Sequence, residues 1–271
     1  MKKMQKSAAL LLALAMAFSL AACSSAGDAP TPAAFTTVEE GKLHMSTEAG
    51  FPPYEMTADD GGYKGTGFEG IDVEVAGAIA EKLGLELVVD DMGFTAALTA
   101  VQNGESDIAM AGISITPDRQ EVMDFSDSYA TGVQVVIVNE DSPIQTLDDL
   151  ANAQMIGCQA DTTGYIYASD TPENGGYGED HVTAYDTGAL AVMDLVTGKI
   201  DAVIIDNEPA KAFVDQNPGL KILETAWVEE EYAIGFAKGN DALREAVNAA
   251  VAELKADGTF QKIVDQYIKA D

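Results

Sequence analysis

Basic residues are scarce in this chain. It contains 15 lysines and arginines against 45 aspartates and glutamates, and its formal net charge is −30. A protein of this charge repels phosphate backbones and anionic lipid headgroups, so nucleic acid is excluded as a partner. The apolar fraction of 47% is sufficient for hydrophobic cores, and we therefore expect a folded chain whose acidity lies mainly on a solvated surface.

Cysteine and histidine are also rare. The two cysteines are Cys23 and Cys158, and only the second is expected inside the folded domain, so no internal disulfide is predicted. Cys158 lies in an apolar stretch, which favours a buried thiol over a reactive one. His44 and His181 stand in neither metal-ligand nor nucleophile spacing. The sequence therefore predicts no metal site and no cofactor.

Residues 1–22 have the pattern of a signal peptide. Lysines near the start precede an apolar stretch at 8–20, which is shorter than the roughly 20 residues that span a bilayer. The segment ends in Leu-Ala-Ala-Cys, which resembles a bacterial lipobox and implies cleavage before Cys23 and acylation of that residue. An ordinary signal peptide followed by an incidental cysteine is the alternative.

Residues 23–37 are rich in serine, alanine, proline and threonine, and we interpret them as a flexible tether behind the lipidated cysteine. No later apolar segment is long enough to cross a membrane. We therefore expect a protein held by a lipid on Cys23 at the extracytoplasmic face of the bacterial cell membrane.

Helix-like and strand-like stretches alternate after the tether. Strands are predicted at 43–47, 85–89, 107–111, 133–138, 155–158, 201–205 and 232–237. Helices are predicted at 72–83, 94–102, 164–169, 188–196, 242–255 and 259–268. This alternation favours an α/β fold with mostly parallel sheets. A weak internal sequence repeat favours two lobes. Residues 103–109 and 197–203 each contain a helix end, a glycine and an aspartate that opens a strand.

Ligands of parallel α/β sheets bind beyond the carboxyl ends of strands. After the strand predicted at 107–111, Thr116 and Pro117 are expected to begin a helix whose first turn contains Arg119. Backbone N–H groups and the guanidinium would then converge on a carboxylate. The alternative is a surface arginine paired with a neighbouring acid such as Glu121.

Two further strands end beside candidate ligand groups. The hydroxyl-rich turn after 155–158 includes Thr163 and could supply donors to the same anion, although helix capping alone explains it. Asp206 follows the apolar strand at 201–205, where an acid needs a cation or hydrogen-bond donors. An α-ammonium would satisfy it, and capping of a helix at 207–214 is the alternative.

Two aromatic residues occupy equivalent places in the first half of the chain. Phe51 follows the strand at 43–47 and Phe94 follows the strand at 85–89. Their rings could flank a ligand side chain or attract its cation, or they could simply fill the core. An arginine for carboxylate, an acid for ammonium and aromatic walls together predict a site for a zwitterionic amino acid.

At these residues a family resemblance becomes recognisable. The stretches 70–74, 111–119, 125–129 and 257–260 resemble those of polar amino acid substrate-binding proteins of ABC importers, bacterial solute-binding protein family 3, of the lipoprotein type. The resemblance covers residues 42–269. It implies a two-lobed periplasmic-binding-protein-like fold, in which each lobe is a mostly parallel sheet flanked by helices and ligand binds in the cleft between lobes.

The resemblance also implies lobe boundaries. The first lobe would be discontinuous and comprise residues 38–132 and 229–271, and the second lobe would comprise residues 133–228. Closure of the two lobes about a hinge of two chain crossings would trap the ligand.

Residue roles follow from the same resemblance. Arg119 and Thr163, with help from Ser114, would hold the α-carboxylate of the ligand. Asp206 would take the α-ammonium, assisted by the main-chain carbonyl of Gly112. The expected partners are this amino acid ligand and the permease subunits of an ABC importer, and the protein is expected to be a monomer.

The side-chain end of the ligand would meet Phe51, Phe94 and Glu48. Glu48 stands where basic amino acid binders and a glutamine binder place an aspartate, and it could pair with a side-chain cation. Arginine or lysine is therefore the first expectation and glutamine the second. The alternatives are a dehydratase-like cleft enzyme of the same fold, for which Glu48 is the one oddly placed acid, or a binder of a non-amino-acid organic anion.

Overall fold

The computed structural model describes residues 35–269, in which helices and strands alternate. The strands are β1 (Lys42–Thr47), β2 (Gly50–Phe51), β3 (Glu55–Thr57), β4 (Phe68–Glu69), β5 (Glu86–Asp91), β6 (Ile108–Ala109), β7 (Met123–Phe125), β8 (Ala130–Asn139), β9 (Ile156–Gln159), β10 (Val182–Tyr185), β11 (Ala202–Asp206), β12 (Leu220–Ile222), β13 (Val228–Tyr232) and β14 (Gly235–Ala237). The α-helices are α1 (Ile71–Leu83), α2 (Phe94–Gln102), α3 (Pro117–Val122), α4 (Thr163–Ser169), α5 (Gly188–Val196), α6 (Asn207–Gln216), α7 (Asp241–Ala256) and α8 (Thr259–Tyr267). The predicted signal peptide at 1–22, the lipidated Cys23 and most of the tether lie outside the described residues.

Local chemistry sets the ends of several helices. α1 stops at Gly84, whose φ of 72° places it in the left-handed conformation that closes helices. α3 begins after Thr116, whose hydroxyl accepts a hydrogen bond from the N–H of Arg119 at 3.2 Å. Pro117 occupies the first position of this helix, where its missing N–H costs nothing. The predicted start of α3 is therefore confirmed, and Arg119 lies in its first turn.

The strands form two large sheets and one small one. The first sheet has the order β5-β1-β6-β14-β7, and the second has the order β10-β9-β11-β8-β12 with β13 also paired to β8. Within each large sheet three strands are parallel, namely β5-β1-β6 and β10-β9-β11. β2, β3 and β4 form the small antiparallel sheet.

The α/β two-lobed fold is confirmed, but the expectation of mostly parallel sheets is wrong because both large sheets are mixed. β14 runs antiparallel to β6 and β7, and β8 runs antiparallel to β11, β12 and β13. β8 and β14 each enter their sheet directly from a strand of the other sheet, so no crossover helix makes them parallel to a preceding strand of their own sheet. The single strand predicted at 232–237 is likewise two strands, β13 and β14, which belong to different sheets.

The chain passes twice between the large sheets. β7 lies in the first sheet and β8 in the second, with the buried Tyr129 between them. On the return, β13 ends at the buried Tyr232 and β14 begins at Gly235 in the first sheet. The two passages lie side by side, because β8 and β13 pair from Ala130 opposite Tyr232 to Gln134 opposite Val228.

Apolar side chains pack on both faces of each large sheet. The largest buried cluster spans the two sheets and includes Leu43 of β1, Ile79 of α1 and Val247 of α7. Separate clusters cover the remaining faces, one around Leu98 of α2 and one around Ile156 of β9. Within residues 35–269, none of the helices combines the length and apolar character needed to cross a bilayer.

A buried pair of acids supports the junction of the two passages. Asp72 is fully buried and accepts hydrogen bonds from the Tyr129 hydroxyl, at 2.8 Å to each oxygen, and from the N–H of Gly112 at 3.1 Å. Glu55 is 0% exposed, and neither of its carboxyl oxygens accepts a hydrogen bond from any residue at 35–269. Burial and the nearby Asp72 raise the pKa of Glu55 well above its usual range. Burial without a hydrogen-bond donor thus favours the neutral form of Glu55, whereas Asp72 accepts the hydrogen bond that orders the loop at Gly112.

We expect substitutions at these two acids to have unequal effects on the free energy of unfolding at pH 7. Glu55→Gln replaces a neutral acid by a neutral amide of similar shape, so stability should change by less than about 1 kcal/mol. Asp72→Ala leaves the Tyr129 hydroxyl and the Gly112 N–H without their acceptor, which should cost roughly 2–5 kcal/mol. Urea unfolding measures both values, and equal losses would contradict the assigned protonation of Glu55.

Candidate functional site

The eight residues predicted to bind ligand all line one cleft between the two large sheets. The predicted residues are Glu48, Phe51, Phe94, Gly112, Ser114, Arg119, Thr163 and Asp206. The strand-end argument thus brought together residues from β1, β6, β9 and β11 and the loops that follow them.

Arg119 is buried without an acidic partner. Its side chain reaches the cleft from α3 and is only 8% exposed. Nη1 donates to the main-chain oxygen of Ser114 at 2.8 Å, and Nη2 donates to that of Asp161 at 2.9 Å. The guanidinium also lies 5.4 Å from the centre of the Phe94 ring. Among residues 35–269 it forms no ion pair with a carboxylate, so the alternative of a surface pair with Glu121 is wrong.

Burial governs the electrostatics of this guanidinium. Loss of solvent lowers the pKa of Arg119, and attraction to nearby Glu230 opposes that change. Two carbonyl dipoles and one aromatic face compensate only part of the cost of burying a full charge. The arrangement can therefore accept an anion, and Arg presents the geometry that binds a carboxylate by two parallel hydrogen bonds.

Asp206 lies at the end of β11 and is 7% exposed. Its Oδ2 accepts a hydrogen bond from Nε2 of Gln134 at 2.9 Å, and its Oδ1 accepts one from the hydroxyl of Tyr232. Although Asp206 precedes α6, its side chain makes no capping hydrogen bond, so the capping alternative is wrong. Burial raises the pKa of Asp206 to about 7, and a cation in the cleft would favour its ionised form.

Glu48 is the second acid that lines the cleft. It is 7% exposed, and burial raises its pKa to about 7. Its Oε2 is 3.4 Å from Nε2 of Gln159, which belongs to the opposite sheet. One long hydrogen bond leaves most of the acceptor capacity of this carboxylate free, so Glu48 can pair with a cationic or hydrogen-bonding side chain of a ligand.

Ser114 and Thr163 line the cleft as predicted, but their hydroxyls are directed to an acid that sequence reasoning missed. Oγ of Ser114 donates to Oε2 of Glu230 at 3.0 Å, and Oγ1 of Thr163 donates to the same oxygen at 2.8 Å. Nε2 of Gln134 is a third donor to it at 3.0 Å. Thr162, not Thr163, accepts the capping hydrogen bond at the start of α4.

Sequence signals for the two missed residues did exist. Gln134 is a polar residue inside the strongly apolar run 133–138. Glu230 is the middle of three glutamates in β13, where alternation along a strand turns it inward while Glu229 and Glu231 face solvent.

Phe51, Phe94 and Gly112 shape the walls of the cleft. Both aromatic rings line the cleft and also belong to buried apolar clusters, so they serve the core and the site together. Gly112 has a φ of 54°, and a Cβ there would lie 2.8 Å from Cε1 of Phe51. Only glycine fits both the backbone conformation and the available space.

The two sides of the cleft touch each other directly. Asp161, from the loop after β9, adopts a φ of 59° that is unusual for a residue with a side chain. Its main-chain oxygen accepts from Arg119 and its Oδ2 accepts from the Thr95 hydroxyl, and both donors follow strands of the first sheet. The structure therefore has the arrangement of a closed cleft.

Comparison with known proteins identifies the family. The family model of bacterial extracellular solute-binding proteins, family 3, matches residues 43–270. The arginine-binding extracellular protein ArtP of Bacillus subtilis is 30% identical over 274 residues, which cover 99% of this chain and 100% of ArtP. The chain therefore belongs to this family of extracellular solute-binding proteins, as the resemblance predicted.

Solved structures agree with this membership. An ancestral arginine-binding protein bound to arginine is 35% identical, with a TM-score of 0.76 and coverage of 84% of this chain and 98% of that chain. An ancestral arginine-binding protein bound to glutamine is 34% identical, also with a TM-score of 0.76, and covers 86% of this chain and 100% of its own.

The raised pKa values of Glu48 and Asp206 predict a pH dependence of stability. Because both acids keep their protons in the folded state to about pH 7, the unfolded state binds fewer protons between about pH 4 and pH 7. The contribution of these two acids to stability should therefore decrease as pH rises through this window. Thermal unfolding of wild type and of the Glu48→Gln, Asp206→Asn double variant tests this, and the variant should show a flatter profile. Parallel profiles would show that neither acid retains its proton.

Proposed function

We propose that this family member captures a polar amino acid outside the cytoplasm and delivers it to an ABC importer. The observation that carries the proposal is the buried guanidinium of Arg119, which has no carboxylate partner among residues 35–269 and faces the same cleft as Asp206. A free amino acid supplies both missing charges, since its carboxylate complements Arg119 and its ammonium complements Asp206. A ligand with only one of these groups would leave the other buried charge uncompensated.

Lobe closure would couple binding to delivery. Arg119 lies after β6 of the first sheet. In the second sheet, Thr163 lies after β9 and Asp206 is the last residue of β11. A ligand that bridges these residues would favour the closed arrangement over an open one. We propose lobes of residues 38–132 with 229–271, and of residues 133–228. The membership of β9 to β12 in the second sheet supports these boundaries, which fall within the paired strands β8 and β13.

The charges around the cleft favour arginine or lysine as the ligand. Glu48, Asp206 and Glu230 are buried acids at or beside the cleft, and Arg119 is the one basic residue that lines it. A ligand with a net positive charge would offset this excess of acids, and Glu48 is available to its side-chain cation. Relatives named for arginine support this choice. Glutamine is the second candidate, supported by the ancestral protein bound to it.

We further propose that Cys23 carries a lipid after removal of residues 1–22, so that the protein acts as an anchored monomer beside its permease subunits. Support comes from the lipobox-like ending before Cys23. We propose binding without catalysis, since the family is one of solute-binding proteins. Glu48 would then pair with the ligand and not transfer protons, and a cation on the ligand would lower the raised pKa of this acid.

Calorimetric titration of residues 24–271 against the twenty amino acids, ornithine and cystine tests the function. The protein is first unfolded and refolded to remove any carried-over ligand. We expect tight binding of arginine or lysine. Tight binding of another amino acid would keep the amino acid function and change the ligand, and absence of binding to every compound would contradict the proposed function.

Arg119→Ala is expected to abolish tight binding of the amino acid identified in this way. Loss of one partner from a buried charge pair costs roughly 2–5 kcal/mol, which corresponds to a decrease in affinity of about 30-fold or more. Arg244→Ala is the matched control, since Arg244 pairs with Asp241 away from the cleft. Similar affinities for the two variants would show that Arg119 does not bind the ligand.

Glu48→Gln separates the two candidate ligands. The substitution removes the acid that would pair with a side-chain cation but keeps a group that can form hydrogen bonds. Affinity for arginine should fall by about tenfold or more, whereas affinity for glutamine should change little. Titration of each variant with both amino acids gives the ratio, and equal changes for the two ligands would remove Glu48 from the recognition of the ligand side chain.

A further inference from the structure

Glu230 is a buried acid at the point where three parts of the cleft meet. It lies on β13, is 8% exposed, and turns inward between two exposed glutamates of the same strand. Its Oε2 receives hydrogen bonds from the Ser114 hydroxyl at 3.0 Å, the Thr163 hydroxyl at 2.8 Å and Nε2 of Gln134 at 3.0 Å. Ser114 lies in the loop after β6, Thr163 begins α4, and Gln134 lies in the long strand β8. One carboxylate oxygen therefore orders polar groups from both sides of the cleft.

The direction of these hydrogen bonds decides what the two hydroxyls can offer to a ligand. A hydroxyl has one proton to donate and two lone pairs that accept. Oε2 of Glu230 is the acceptor in both hydrogen bonds, so the Ser114 and Thr163 hydroxyls give it their single protons. The two protons of the Gln134 amide go to Glu230 at 3.0 Å and Asp206 at 2.9 Å, so its longer 3.4 Å approach to Oγ1 of Thr163 leaves the lone pairs of that hydroxyl available. Towards the cleft both hydroxyls present lone pairs.

Lone pairs attract an ammonium and repel a carboxylate. The same Gln134 nitrogen that binds Glu230 also binds Asp206, at 2.9 Å, so both hydroxyls belong to one hydrogen-bonded cluster with the acid proposed for the α-ammonium. Arg119 donates to the main-chain oxygens of Ser114 and Asp161 and to none of the side chains of this cluster. The polarity of the hydroxyls thus conflicts with the expectation that Thr163 and Ser114 bind the α-carboxylate through their side chains.

We propose that Glu230 is a positioning residue that fixes the Ser114 and Thr163 hydroxyls as acceptors and so makes this end of the cleft selective for an ammonium group. The inference rests on the proposed amino acid function and deepens it, because it assigns the two hydroxyls to the ammonium end of the ligand. Arg119 is then the side chain that binds the carboxylate. Glu230 acts through its neighbours and does not need to touch the ligand itself.

The test compares a ligand that has the α-ammonium with one that lacks it. L-Arginine and its desamino analogue δ-guanidinovalerate are titrated into wild-type protein and into Glu230→Gln. The Gln amide can donate to the hydroxyls and frees their protons for the cleft, so affinity for L-arginine should fall by about tenfold or more. Affinity for δ-guanidinovalerate should stay within about threefold of the wild-type value, or increase. Retained binding of the analogue also shows that the variant is folded.

Two neighbours on the same strand provide matched controls. Glu229→Gln and Glu231→Gln remove the same charge from exposed positions of β13, and both should keep the wild-type ratio of the two affinities. If wild type binds L-glutamine instead, L-glutamine and glutaramate replace the arginine pair. An equal loss for both compounds in Glu230→Gln would overturn the inference and leave the proposed function intact. Failure of wild type to bind any amino acid would overturn the proposed function and, with it, this inference.

Discussion

The burial of Arg119 without a carboxylate partner is the constraint on which the rest of the cleft depends. A guanidinium that is 8% exposed must be compensated, and the chain supplies only two carbonyl oxygens and the face of Phe94. Two features keep the charge in place. The start of α3 fixes the backbone of Arg119, and the left-handed Asp161 presents its carbonyl from the opposite sheet. Compensation is thus left incomplete where a ligand carboxylate can complete it.

The two acids that line the cleft follow the same logic with opposite sign. Asp206 and Glu48 are so far removed from solvent that their pKa values rise to about 7, which makes their ionisation sensitive to what else enters the cleft. A cationic ligand would favour the ionised forms of both. Binding of the ligand, ionisation of the acids and closure of the cleft are therefore one coupled equilibrium, in which each step makes the others more favourable.

Much of this arrangement could be predicted from the sequence because it depends on local chemistry. The bounds of α2 and α5 follow from apolar periodicity and their flanking residues, and the placing of Arg119 follows from Thr116 and Pro117. Arg119, Thr163, Asp206, Phe51 and Phe94 were found because strands of a parallel sheet end at the same edge, whereas Glu48, Gly112 and Ser114 came from the family resemblance. Each of these inferences needs only a few neighbouring residues.

The missed features depend on contacts between distant parts of the chain. Gln134 and Glu230 become site residues only because β8 pairs with β13 across 96 residues of sequence, and neither strand reveals its partner. β8 also runs antiparallel to β11 and β12, so the strand that carries Gln134 to the site also makes the second sheet mixed.

The pairing of β8 with β13 also places the cleft beside the two passages of the chain between the large sheets. Both passages between the sheets carry a buried tyrosine whose hydroxyl donates to a buried acid, Tyr129 to Asp72 and Tyr232 to Asp206. Asp72 holds the N–H of Gly112, whereas Asp206 itself lines the cleft. A rotation of the proposed lobes about these passages would therefore disturb the groups proposed to bind the ammonium. A ligand that fixes those groups would oppose the rotation, which would link occupancy of the cleft to the closed state.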